Sequence, residues 1–356
     1  MTDTVAPPGT TTGGTARPPK QEQQPASPDV IEVAPNVLRA QLPIQMPGLG
    51  HVNTYVFVDD RGVAVMDPGL PGPESFSALA ERLASVGLSP ADVHTVYVTH
   101  SHIDHWGLAS LLAHESRHAM ELITHEAFAA HWRVGEGEDL ILSDVDPEDI
   151  ADSNPFDGET PWGRMWGPPP GVKPFSFERP QPTRYVRDGE PLHLAGRDMF
   201  IVHSPGHTLD HICLSDPEEG VLFSGDHVLP TITPHISGLG SGRDPLDLFE
   251  ESLVKVGGME GVQVVLPAHG QPFTDLRGRT EAIRAHHVER LLRLRDLSQD
   301  MGPATVEQFS QRLFREQSWG GMAEAETFAH LEHLRLAGLA SRRGTGRDMV
   351  YELAPR

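Results

Sequence analysis

The feature that most constrains this chain is the run Thr99-His100-Ser101-His102-Ile103-Asp104-His105. Four nitrogen and oxygen ligands lie within six positions, directly after the β-branched run 95–98, which reads as a short buried strand. Packing does not call for so many polar side chains at a strand end. A chain leaving a strand there can splay His100 and His102 to one side and Asp104 and His105 to the other, so one short segment can serve two ions. Two ions roughly 3.5 to 4 Å apart make a binuclear hydrolytic centre. The fold must therefore bring further ligands to the end of that strand.

Three segments are placed to do so. His207 lies in Ser204-Pro205-Gly206-His207-Thr208, Asp226 in Phe223-Ser224-Gly225-Asp226-His227, and His269 in Leu266-Pro267-Ala268-His269-Gly270. Each follows a predicted strand, and strand ends of an α/β sheet share one edge. Glycines beside each one permit tight turns and a close backbone approach to a ligand. Cys213, the single cysteine, sits in the apolar run Ile212-Cys213-Leu214 and reads as core. Thiolate cages and a disulfide framework are thereby excluded, so any metal is bound by nitrogen and oxygen.

The surrounding segments form a mixed α/β pattern. Strand signals cover 37–42, 52–58 and 63–66, the last ending in the turn Asp67-Pro68-Gly69, and 74–86 has helical apolar spacing. Further strands are expected at 191–194, 199–203, 212–214, 221–223 and 262–266, with a helix over 245–256. Residues 1–29 hold almost no large apolar side chain and read as a disordered leader. Residues 133–182 hold nine prolines and five aromatics without a clear period, and read as a lid-like insertion over the site. From 276 onward, helices over 281–297, 305–313 and 324–339 precede a basic, glycine-tipped hairpin, which suggests a winged helix-turn-helix over 276–356.

Charge narrows the substrate. Residues 30–275 carry 36 Asp and Glu against 13 Lys and Arg, a local charge of −23, whereas 276–356 carry 11 against 13. An acidic catalytic domain repels phosphate backbones and anionic membranes, so nucleic acid is disfavoured as a partner and no membrane is expected. The N-terminus has neither the basic nor the apolar region of a signal peptide, and a cytoplasmic location is expected.

The HxHxDH run, the Gly-His-Thr, Ser-Gly-Asp and Ala-His-Gly segments and their order resemble the metallo-β-lactamase fold superfamily, over about residues 30–275. The resemblance implies a four-layer αββα sandwich of the α/β class. It implies a first ion on His100, His102 and His207, a second on Asp104, His105 and His269, and Asp226 bridging both. The ligand set looks like the glyoxalase II type, with no cysteine near the second ion, and two Zn2+ ions are expected, with iron or manganese as alternatives. Asp67 resembles the family's acidic turn and is placed behind the ligands, where such carboxylates orient histidines.

On this reading a metal-bridging hydroxide attacks an ester or thioester carbonyl of a small or medium-sized acyl substrate, and Asp104 orients it or takes its proton. His235, and less directly His227, lie on the loop where related enzymes meet substrate, so His235 is a candidate oxyanion donor. The order of a metallo-β-lactamase domain and a winged helix is also similar to lactamase-β-like proteins, which keeps a single-strand-specific endoribonuclease as the alternative, beside a lactone or β-lactam hydrolase. A non-catalytic metal-binding module is the third class. The winged helix can instead pack on the core or on a partner subunit of a homo-oligomer.

Overall fold

The structure, a computed structural model, describes residues 20–46, 48–128, 181–237, 243–344 and 348–355. The insertion expected over 133–182 falls, apart from 181 and 182, outside these residues, as do 345–347 at the tip of the expected wing.

Largely apolar strands, the central ones buried on both faces, build two stacked sheets. The first holds β1 (Ile31–Ala34), β2 (Val37–Met46), β3 (Leu49–Asp59), β4 (Gly62–Met66), β5 (Val93–Tyr97), β6 (Glu121–His125) and β7 (Arg184–Val186), in that spatial order. Strands β1 to β4 are antiparallel, and β4 to β7 run parallel. The second sheet has the order β12-β11-β10-β9-β8, from β8 (Pro191–Leu194), β9 (Arg197–His203), β10 (Ile212–Asp216), β11 (Val221–Gly225) and β12 (Val264–Pro267).

Because side chains alternate across a strand, each sheet feeds two cores. On β4, Val63 and Val65 face α1 (Pro73–Ser85) and α3 (Ala109–Glu115), meeting Leu79, Leu83 and Leu112, with the four-residue α2 (Ile103–Trp106) at their side. Ala64 and Met66 face the second sheet, where Tyr55 and Phe57 meet Phe223. The Tyr55 and Phe223 rings stand edge to face at 5.1 Å, an arrangement that contributes roughly 0.5 to 1.5 kcal/mol beyond burial. On the far side of the second sheet, Cys213 and Leu222 join Leu246, Phe249 and Leu253 of α4 (Pro245–Gly257) and Leu276 and Ile283 of α5 (Leu276–Met301). The layers are helix, sheet, sheet, helix, the expected αββα order. Cys213 is a buried core thiol, its pKa pushed up to about 12 by desolvation.

The segments following α4 make a further cluster. The second half of α5 packs with α6 (Val306–Leu313), α7 (Gly321–Leu336) and a small antiparallel sheet of β13 (Ala304–Thr305), β15 (Val350–Leu353) and β14 (Ala340–Arg343). Thr305 caps α6 by accepting from the Gln308 amide, while the Gln308 side chain accepts from the Thr305 amide. Since the first half of α5 shares the α4 core, the C-terminal helices are continuous with the outer layer.

Two local findings differ from the sequence reading. Of the leader expected over 1–29, residues 20–29 are described and are held at one point: the Glu22 carboxylate is fully buried, accepting from the Thr231 and Ile232 amides and the Thr231 hydroxyl. Polar recognition, not apolar burial, holds this strap, so hydrophobicity gave no signal. Strands β1, β6 and β7 are also absent from the sequence reading: each is short and adjoins polar sequence, and pairing toward the two edges of the first sheet forms them. Among the described residues, no helix is long and apolar enough to cross a membrane.

Candidate metal centre

All seven candidate ligand residues meet at one edge of the two sheets. The loop after β5 carries His100 and His102, and the turn of α2 carries Asp104 and His105. His207 lies between β9 and β10, Asp226 follows β11 directly, and His269 follows β12. Two groups result, each with ligand atoms within 4.8 Å of one another: His100, His102, His207 and Asp226, and Asp104, His105 and His269. Asp226 reaches both, its Oδ2 lying 3.6 Å from His207 Nε2 and 3.7 Å from His105 Nε2, and its Oδ1 3.2 Å from His269 Nε2. Asp104 Oδ2 lies 3.5 Å from His105 Nε2 and 3.6 Å from His269 Nε2.

Surrounding groups fix which ring nitrogen faces inward. Nδ1–H of His105 donates to Asp67 Oδ2 at 2.8 Å, that of His207 to the His235 carbonyl at 2.7 Å, and that of His269 to the His51 carbonyl at 2.7 Å. The Thr99 hydroxyl donates to Asp67 at 2.7 Å and takes His100 Nδ1–H at 3.0 Å. Each of these four rings therefore turns Nε2 toward the centre, the nitrogen through which it would bind a cation. His102 turns Nδ1 inward, 3.0 Å from both His100 Nε2 and His207 Nε2.

The backbone around them is correspondingly constrained. Asp67 has a left-handed φ of 52°, and its carbonyl accepts from Thr54 Oγ1 at 2.7 Å. Such a conformation in a non-glycine residue persists where its surroundings over-determine it. Gly225, also left-handed, leaves room for His211: a Cβ would meet His211 Nε2 at 2.6 Å. That nitrogen accepts from the Asp226 amide at 3.0 Å. His269 is positioned across the sheets, because the Asn53 amide group on β3 donates to the Pro267 and Gly270 carbonyls at 2.8 and 2.9 Å.

Electrostatics divide the centre. Burial, aided by His105, His102 and His207, holds His100 neutral, far below the usual histidine value, and burial also lowers His207. Burial acts the same way on His105, but Asp104, Asp67 and Asp226 outweigh it and hold the ring well above its usual value; against burial, Asp226 and Asp104 also raise His269. Burial raises Asp226, yet His269 and His105 outweigh that and keep it ionised. A buried cluster with the three carboxylates of Asp67, Asp104 and Asp226 attracts positive charge. Buried His105 Nε2, His269 Nε2 and Asp226 Oδ1 have no hydrogen-bond partner, which suits atoms shaped to hold a cation.

The expected residues thus converge, and Asp67 stands behind His105 as expected. His235 presents its carbonyl to His207, while its ring lies 3.5 Å from Glu326 of α7. His227 is fully buried against Phe249, with burial pushing its pKa down to about 3. Sequence reasoning missed His51, Asn53 and His211. Only His211 had a signal, four positions beyond His207 at the head of β10; His51 and Asn53 act through backbone contacts across sheets.

A layered αββα fold with two His/Asp groups at its sheet edge is that of a metal-dependent hydrolase. The chain belongs to the metallo-beta-lactamase superfamily, whose family description matches residues 47–300. It is 25% identical over 303 residues to the "Probable metallo-hydrolase YqjP" of Bacillus subtilis strain 168, covering 80% of this chain and 88% of that protein. Over 91 residues it is 37% identical to an atrochrysone carboxyl ACP thioesterase of Aspergillus terreus, 26% of each chain. The crystal structure of a metallo-beta-lactamase family protein from Thermus thermophilus superposes with a TM-score of 0.73 at 31% identity, covering 90% of this chain and all of that one.

Proposed function

We propose that the protein hydrolyses an ester or thioester of a small or medium-sized acyl compound. The observation that carries this reading is Asp226, one carboxylate within 3.7 Å of ligand nitrogens from both groups. On it, His100, His102 and His207 would hold one divalent ion and Asp104, His105 and His269 a second, with Asp226 within reach of both groups. The ions, zinc in the first instance, would lower the pKa of water toward neutrality and polarise a carbonyl oxygen. Asp104 orients the attacking water and takes its proton at a carboxylate oxygen, and passes it to the alkoxide or thiolate that leaves as the acyl C–O or C–S bond breaks. Asp67, Thr99, His51 and the His235 carbonyl hold the ligand rings in the binding tautomer. His235 serves by this carbonyl in the present reading, since its ring is engaged toward Glu326.

The local likeness to an acyl-carrier thioesterase supports a thioester. We read 30–275 as the catalytic domain and the three helices and small sheet beyond it as a winged-helix unit. A cytoplasmic setting and a homo-oligomer belong to the same proposal. The deciding experiment is a panel of chromogenic esters, thioesters, lactones and β-lactams on metal-replete protein. Turnover of an activated ester or thioester, lost in His102→Ala, is expected. Turnover confined to β-lactams would replace this reading.

A further inference from the structure

We propose that Glu326, on α7 in the C-terminal helices, is a positioning residue for the His100/His102/His207 group, acting through His235. The inference rests on the metal-binding reading of that group. His207 owes its tautomer to the His235 carbonyl, 2.7 Å from Nδ1. That carbonyl belongs to a stretch without helix or strand, so its position depends on what grips the surrounding loop. The C-terminal helices supply several of those grips. His235 Nδ1 lies 3.5 Å from Glu326 Oε2. From α5, the Arg279 guanidinium donates to the Leu229 and Ile232 carbonyls, each at 2.5 Å. Ile236 anchors the loop from below, fully buried in the α4 and α5 core.

Glu326 is itself held on every side. It forms an ion pair with Arg290 of α5, whose guanidinium lies 4.6 Å over the Phe314 ring. Its backbone carbonyl takes Nδ1–H of His330 at 2.7 Å, and His330 Nε2 meets His287 Nδ1 at 3.0 Å. Burial alone would raise the Glu326 carboxyl, but the His235 hydrogen bond and the Arg290 charge hold it ionised, well below the usual range. A fixed anion on α7 therefore sets the His235 ring, the ring sets its carbonyl, and the carbonyl sets His207.

Because His207 belongs to one group only, the relay has a signature that general loosening lacks. Full-length protein, its Glu326→Gln and Glu326→Ala variants, and Glu250→Gln as an ion-pair control at Arg284 would be titrated with zinc against a chromogenic chelator. The wild type should bind in two steps. Both Glu326 variants should weaken one step by about tenfold, with the other step unchanged, as loss of an orienting partner does; Glu250→Gln should weaken neither. Should Glu326→Ala fail to fold, the isosteric glutamine carries the test. Equal weakening of both steps, or none, would overturn the relay while leaving the metal site standing. A wild type that binds no zinc would remove the metal reading itself.

Discussion

Nδ1 of His105 donates to Oδ2 of Asp67 across 2.8 Å, joining the turn after β4 to the short helix after β5. The same carboxylate takes the Thr99 amide and hydroxyl, so one side chain orders the entry to the whole ligand-rich segment. Asp67→Asn should weaken metal binding by on the order of tenfold, since an amide cannot accept all three hydrogen bonds. Asparagine tolerates the left-handed backbone, whereas Asp67→Ala adds the strain of φ 52° and should also lower the melting temperature. Chelator competition and thermal unfolding of both variants test this. Unchanged zinc affinity in Asp67→Asn would separate Asp67 from the centre.

Elemental analysis should find about two transition-metal ions per chain, as expected of a binuclear centre. Asp226→Ala should lower occupancy and hydrolysis together, because it removes a carboxylate of the first group that also lies beside His105 and His269 of the second. Full activity in protein freed of metal by dialysis against chelator would defeat the metal assignment.

Acid should destabilise the fold over a defined window. Burial lowers His287 and His227 to about 3 and His330 to about 4, with the neighbouring His330 ring also lowering His287. Unfolded, these rings titrate near 6.5. Between pH 6.5 and 4 the unfolded chain therefore binds protons that the native chain does not, so stability is present above 6.5 and falls as pH drops. Each histidine contributes up to about 1.4 kcal/mol per pH unit in that window. Denaturant midpoints at pH 7 and pH 5 check the sign; His330→Gln should flatten the slope.

Against single-stranded RNA at physiological salt, cleavage should be negligible. Nuclease binding draws on counterion release from several neutralised phosphates, and residues 30–275 have a local charge of −23. Even on the basic hairpin, Arg342 is committed to Glu332 at 3.4 Å. Robust RNA cleavage abolished both by His102→Ala and by Arg342→Ala/Arg343→Ala would promote the nuclease reading.

The local signals were strong where chemistry and period coincided. Four ligand-type residues in six positions, and Asp or His just after a β-type run flanked by glycine, marked the site, while the apolar runs of β4 and β11 marked them as strands. These properties depend on neighbouring residues only, so a sequence carries them openly. Which nitrogen of each histidine faces inward was decided by partners far along the chain: His51 for His269, Asp67 for His105, the His235 carbonyl for His207. The burial of Glu22 against Thr231 and the grip of Glu326 on His235 are likewise long-range polar contacts. Hydrogen bonds have no sequence period, and their partners become neighbours only once the sheets stack. Composition and spacing determined that this chain has an α/β core and a dense set of metal-type ligands; tertiary packing alone decided how those ligands are aimed.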